Sequence, residues 1–309
     1  MLTLMANGSL RSSGAVRRAA RNGALALGAS MVFATMSGAQ KPTPEPTGAP
    51  FPETAALVAQ VMQDQKKVES LLSQYTYTDK VTVYALDKNG KVRKQHTDTY
   101  YISPTQYEFF SLHISHDGMN VSERNLEEQE KRIEKRMQED ERRAQRNESI
   151  HPQGQILFAD IIARSDFTPL RWQEIDGLRT IVYEFQPRST ARPKGNLTER
   201  IAGDLKGKMW ISPEEKEVVR IEFASVSSLG VGLLGKVQGF QGVTEQQKFH
   251  GELWMPSRQE YVANGREFVT GFRIREVDEF SDYLKATTDI FQQVRSPRAV
   301  TGNAANGEQ

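Results

Sequence analysis

From Tyr75 onward the chain reads with a period of two, and this alternation constrains its fold more than any other feature. Tyr75, Tyr77, Val81 and Val83 alternate with Thr76, Thr78, Lys80 and Thr82. That spacing puts apolar groups on one face of a strand and polar groups on the other. Asp87-Lys88-Asn89-Gly90 follows, and Asn-Gly is the strongest short hairpin signal. Further strands are expected at Val92–Ile102 and at Gln106–Ser115, the latter ending at His116-Asp117-Gly118. Trp172–Ile175 and Leu178–Phe185 flank Asp176-Gly177, and Lys208–Ile211 and Glu217–Val226 flank Ser212-Pro213-Glu214-Glu215. Phe249–Met255, Ser257–Val262 and Glu267–Phe280 come next, with Asn264-Gly265 expected as the turn between the last two, and Tyr283–Thr287 reads as one more short strand. Roughly nine or ten strands joined by short turns imply antiparallel meander connectivity rather than a parallel βαβ design.

Helical spacing is confined to three places. Leu57, Val58, Val61, Met62, Val68, Leu71 and Leu72 make Thr54–Ser73 an amphipathic helix. Residues 122–147 are dense in Glu, Arg and Gln, and Leu126, Ile133, Met137 and Ala144 leave only a narrow apolar stripe. This reads as a solvated helix laced by charge pairs and inserted between strands over about 120–150, with a docking arm as the alternative. Gln155–Arg164 reads as a core-facing helix.

The N-terminus has the layout of a secretory signal. Arg11, Arg17, Arg18 and Arg21 precede the apolar run Gly23–Met36, and Ser37-Gly38-Ala39 supplies small residues for cleavage after Ala39. The run is shorter than the ~20 residues needed to span a bilayer. The expected organisation is therefore a signal peptide over 1–39 and a proline-rich linker over 40–53. A single β-rich domain over 54–295 follows, with a disordered tail over 296–309. Export to the periplasm follows from that leader.

Composition removes several function classes. Without the first 39 residues the chain holds 36 basic and 39 acidic groups, so no basic face for nucleic acid is expected. There is no cysteine, which excludes disulfides, Cys-based metal centres, thiol catalysis and an N-terminal lipid anchor. No G-x-S-x-G elbow, phosphate loop, G-x-G-x-x-G turn or H-E-x-x-H is present. No cofactor, catalytic residue or metal is expected. The histidines are His96, His113, His116, His151 and His250. His113 and His116 stand three apart, which on a regular strand points them to opposite faces, so a shared metal would require the strand to end between them.

Two groups of apolar residues are candidates for binding. Phe109, Tyr183, Phe185, Trp210, Ile221, Phe223, Trp254, Phe272 and Ile274 can line a cavity on a curled sheet, or can simply be core. The segment 227–242 holds Gly230, Gly232, Gly235, Gly239 and Gly242 beside Leu229, Val231, Leu233, Leu234, Val237 and Phe240, with Lys236 as its one charge. It reads either as a flexible apolar tip that touches a lipid or membrane face, or as a glycine-kinked hairpin tucked into the core.

The phrases YTYTDKVTVYAL (75–86), GKMWISPEEKEVVRIEFA (207–224) and ELWMPSRQEYVANGREFVTGFRIREVDEFSDY (252–283) each pair an aromatic-bearing strand with a turn and a second strand. In this the body, from about Thr54 to Phe291, resembles the Lol-type lipoprotein carriers and the related periplasmic lipoprotein-sorting and sigma-regulator families. The resemblance implies an α+β, β-rich fold, a strongly curved antiparallel sheet forming an unclosed β-barrel packed over helices, with an apolar concave cavity for acyl chains. It implies a lipid or acylated protein as partner, with membrane-surface contact, and carries over no individual binding residue. The expected function is a non-enzymatic carrier of lipid or lipoprotein acyl chains. The alternatives are a sensor docking a protein through 122–147, and a secreted hydrolase whose acids or histidines converge in a cleft.

Overall fold

In the computed structural model the described residues are 2–3, 50–72, 74–105, 109–146, 155–156, 158–188, 197–231, 235–251, 253–267 and 270–286. The leader apart from Leu2–Thr3, most of the proline-rich linker and the tail lie outside them. The helices are α1 (Thr54–Leu72), α2 (Glu123–Gln145), α3 (Phe158–Arg164) and α4 (Leu197–Ala202). The strands are β1 (Tyr75–Leu86), β2 (Val92–Pro104), β3 (Phe109–His116), β4 (Met119–Asn120), β5 (Ser165–Ile175), β6 (Leu178–Pro187), β7 (Leu205–Ser212), β8 (Glu217–Ser225), β9 (Leu229–Val231), β10 (Gly235–Phe249), β11 (Leu253–Glu267) and β12 (Thr270–Lys285). A two-residue ladder between Leu2–Thr3 and Gln155–Ile156 stands apart from the main sheet.

All pairings in the main sheet are antiparallel, and its strand order is β4-β3-β2-β1-β12-β11-β10-β8-β7-β6-β5, with β9 paired to β10. The two ends, β4 and β5, do not pair, so the sheet is an unclosed barrel. No helix among the described residues is long and apolar enough to cross a membrane.

One face of this sheet holds the core. Tyr183 and Phe185 on β6, Met209 on β7, Ile221 and Phe223 on β8, and Phe240 on β10 gather beneath Leu57 and Val61 of α1 and Ile161 and Ile162 of α3. A second cluster joins Val68 and Leu72 of α1 to Tyr77, Ile102, Phe280 and Tyr283. Helix α1 therefore crosses the inner face obliquely, with its first half on one cluster and its last turns on the other. Glu53 starts it by accepting bonds from the Ala55 and Ala56 amides at 3.0 and 2.6 Å. Midway, the buried Gln65 donates to Glu217 at the start of β8. Burial, reinforced by Asp64, raises the Glu217 carboxyl to about 7.

The outer face is polar. Arg220 bridges Glu222 and Glu245, and Glu260 takes bonds from Arg258 and Arg275. The Arg220 guanidinium lies 5.5 Å from the Trp210 ring centre, and Arg275 lies 5.2 Å from that of Tyr84.

Helix α2 is less isolated than its charge suggests. Ile133 and Met137 close a small apolar pocket with Tyr101, Ser103, Phe110 and Leu112, residues that alternate with the inner set on β2 and β3. The apolar stripe of α2 is thus spent on the outer face of the sheet edge. Its Gln129 side chain accepts from the His113 amide at 2.9 Å and donates to the His113 carbonyl at 3.0 Å. Replacing Gln129 with alanine leaves both backbone groups without that partner, at an expected cost of about 1–2 kcal/mol. Hydrogen exchange at the His113 amide checks this: protection should fall in the variant, and unchanged protection would show that Gln129 does not hold this edge.

Several expected boundaries move. Asn264-Gly265 is not a turn. It lies inside β11, paired with Arg273 and Phe272, opposite an irregularity at Val237/Gly239 in β10. The long ladder on both sides of β11 outweighs the local turn preference. That connection lies past Glu267, and a separate turn at His250-Gly251, both with positive φ, joins β10 to β11 and splits the expected strand Phe249–Met255. Tyr283 belongs to β12 and lies within a register shift between Ser281 and Leu284. In the 87–91 loop only Gly90 has positive φ, and the Asp87 carboxylate accepts from the Asn89 and Lys91 amides. Asp176-Gly177 does form the expected tight turn, both residues having positive φ.

Candidate functional site

The register places the inner-face residues in rows across the sheet. One row runs Ile221, Thr244, Gln259, Asp278, Val81, Asp98, His116. The row on one side runs Phe223, Gly242, Tyr261, Glu276, Val83, His96, and the row on the other contains Phe280, Asp79, Tyr100, His113. The middle of the inner face is therefore not apolar. Three carboxyl groups, Asp79, Glu276 and Asp278, sit between the two hydrophobic clusters at 1–2% exposure. A polar seam runs from them to a histidine cluster at the β2–β3 edge.

Burial is the main cause of the electrostatics here. It raises all three acids well above the usual carboxylate range, and mutual repulsion adds to this for Asp79 and Asp278. The Tyr261 hydroxyl beside Glu276 pulls that acid partly back. Burial also raises the phenols of Tyr77, Tyr261 and Tyr283. One oxygen each of Asp79 and Asp278 finds no hydrogen-bond partner among the described residues. Burial thus favours the neutral form of each acid, a group able both to donate and to accept hydrogen bonds.

The seam was not read from the sequence, although parity could have found it. Asp79 shares its face with Tyr77, Val81 and Val83, and Glu276 and Asp278 share theirs with Ile274 and Phe280. Each acid stands where an apolar residue is expected, beside charged neighbours (Lys80, Arg275, Glu279) that make the segment look like a solvated run.

At the edge, the expected opposition of His113 and His116 does not hold. Tyr100 pairs with His113 and Thr99 with Ser115, so Ile114 is an extra residue in β3. This β-bulge shifts the parity by one and brings His113 and His116 to the same face. His113 Nε2 and His116 Nδ1 lie 2.9 and 2.6 Å from the same oxygen of Asp98, and His96 Nε2 lies 3.6 Å from its other oxygen.

Of the nine cavity candidates, Tyr183, Phe185, Ile221, Phe223, Phe272 and Ile274 do come together in the larger cluster, and Phe109 packs against the smaller one. There α1 and α3 cover them, with Tyr183, Phe185 and Ile221 fully buried. Trp210 does not join them, because it pairs with Arg220 and Val182 on the outer face. Trp254 stands opposite Lys248 at the end of the sheet, where its indole donates to Glu215 at 3.4 Å. The glycine-rich segment is a hairpin, with Leu229 paired to Val237 and Val231 to Gly235. Phe240 is not at a lipid-facing tip: it is buried between Phe223 and Tyr261, and Val237 packs on the same cluster. Gly232, Leu233 and Leu234 lie outside the described residues, as do the side chains of Leu229 and Val231.

No family model matches the sequence, and no curated protein matches it. Among solved structures, the chain is similar to an outer-membrane lipoprotein-sorting protein domain from Vibrio parahaemolyticus, at 10% identity and a TM-score of 0.34, over 77% of this chain and 96% of that one. It is similar to a LolA-superfamily protein from Nitrosomonas europaea at 12% identity and a TM-score of 0.34, over the same shares. It also matches the MucA/MucB complex of Pseudomonas aeruginosa, at 7% identity and a TM-score of 0.21, over 71% of this chain and 93% of that one.

Proposed function

We propose that this chain is a periplasmic, non-enzymatic binding protein that takes an acyl chain of a lipid or lipoprotein between α1 and the inner face of the sheet. One observation carries this reading. Helix α1 lies across the apolar inner face of an unclosed sheet beside α3, and its own apolar side is shared between two clusters separated by a polar seam. An acyl chain can exchange with the side chains of α1 there, gaining about 25 cal/mol per Å² of apolar surface removed from water. The uncharged acids between the clusters suit the polar end or linkage of such a molecule better than charged carboxylates would. The leader supports export, and the likeness to lipoprotein-sorting folds supports an envelope role.

Converging acids with raised pKa values are also what a hydrolase would need. At their observed burial the three carboxyls are closed to a substrate while α1 is in place, which favours binding coupled to helix displacement. The test is native mass spectrometry of the mature chain from Gln40, purified from the periplasm, with lipid extraction alongside and a fluorescent fatty acid as added probe. Co-purifying phospholipid or acylated peptide, or saturable probe binding that Val61→Asp abolishes, is the expected result. A ligand-free mass together with no probe binding would sink the carrier reading.

A further inference from the structure

We propose that the exposed end of the seam is a binding site for one borderline transition-metal dication, of the Zn²⁺, Cu²⁺ or Ni²⁺ class. Its ligands are His113, His116 and Asp98, with His96 as a fourth donor. The ligand atoms of Asp98, His113 and His116 lie within 4.8 Å of one another. A tetrahedral ion with bonds near 2.0–2.1 Å needs neighbouring donors about 3.3 Å apart, a separation that small rotations of these rings and this carboxylate can reach. The donor set is imidazole-rich with one carboxylate, which selects zinc, copper or nickel over calcium or magnesium.

Three features argue for a built site over a chance cluster. Two adjacent antiparallel strands supply the donors, so their spacing is set by a ladder rather than by a loop. The same-face placement of His113 and His116 exists only because Ile114 is bulged. That bulge is held from outside: the Val121 amide donates to the Ile114 carbonyl at 3.0 Å, and Gln129 of α2 satisfies both backbone groups of His113. The His113 ring is also supported, with the Tyr100 ring tilted against it at 5.1 Å between centres. Two imidazole nitrogens, from His113 and His116, converge on a single oxygen of Asp98 at 2.9 and 2.6 Å, so three donors already face one point. Access is open, since the His116 side chain is 51% exposed.

The site is independent of the lipid reading, and either can fail alone. The test is isothermal titration of the full mature chain, without an affinity tag, with ZnCl₂, CuCl₂ and NiCl₂ in turn, paired with metal analysis after dialysis. One-to-one saturable binding of at least one ion is expected. His116→Ala and Asp98→Asn should each weaken it by a factor of 10–100 or more, whereas His250→Asn, at a histidine outside the cluster, should leave it unchanged. His113→Gln, which keeps the side chain's bulk and polarity, guards against a loss of fold, and circular dichroism of each variant confirms it. Absence of saturable binding with all three ions would overturn the proposal. So would binding that survives both His116→Ala and His113→Gln.

Discussion

Asp278→Asn is expected to stabilise the chain at pH 8, read as a higher melting temperature at the alkaline end, with the gain shrinking toward pH 4. The reason lies in where the proton sits. Asp278 is neutral in the folded chain and ionised in the unfolded chain over the interval between its two pKa values, so the folded state binds the extra proton there. Stability therefore falls as pH rises through that interval, and is restored in full below the unfolded value near 4. An amide needs no proton to stay neutral, so the variant escapes this loss and the repulsion that Glu276 and Asp79 exert on an ionised Asp278. Other carboxylates titrate the opposite way: a bond from Lys248 holds Glu215 below its usual range, and that contribution is lost in acid. The native chain should accordingly be most stable on the acid side of neutral. Thermal melts of both proteins from pH 4 to 8.5 check this; parallel curves would mean that Asp278 is not held neutral. A stability gain from removing an acid fits its retention for function rather than for folding.

Gly207→Ala is expected to destabilise the chain by about 3 kcal/mol or more. Gly207 lies on β7 between Phe185 of β6 and Phe223 of β8. A Cβ built there would stand 1.9 Å from the Glu222 carbonyl oxygen and 2.9 Å from the Phe223 Cα. Both obstacles are backbone, so no rotamer change relieves them and β8 must move. Gly242 presents a softer version, because Phe223 Cζ and Tyr261 Cβ, at 2.7 and 2.8 Å, crowd it along with the Glu260 carbonyl. Urea unfolding measures the effect; a loss under 1 kcal/mol in Gly207→Ala would show that β7 and β8 are not held this close.

Much of the architecture was legible because periodicity is a local signal. Helix α1 from Leu57, Val61, Val68 and Leu72, the strand end at Asp117-Gly118, the hairpin at Asp176-Gly177, and the long polar α2 all follow from residues that act on near neighbours. What was missed depends on distant partners. Ser165–Arg171 was not read as strand because Pro169 and scattered charges mask it, and only its pairing with β6 orders it. Helix α4 is too short for a period to emerge, and Ala202 earns its place by burial in the main cluster. The site was the least legible part. Asp79, Glu276 and Asp278 meet only because β1 pairs with β12, and His113 meets His116 only through one extra residue that leaves no mark in the spacing. Trp210 was assigned to the wrong face because a lone aromatic between Met209 and Ile211 gives no parity of its own.

The pairing of β1 with β12 also sets an order of events in the life of the molecule. The first strand made waits for the last, nearly two hundred residues later, before the middle of the sheet can close. Until then the acid trio cannot assemble, because Asp79 lies on β1 and Glu276 and Asp278 lie on β12. A chain broken off before Thr270 has no central strand to receive β1, so an incomplete product is left open to proteases, while the finished one seals itself in its final step.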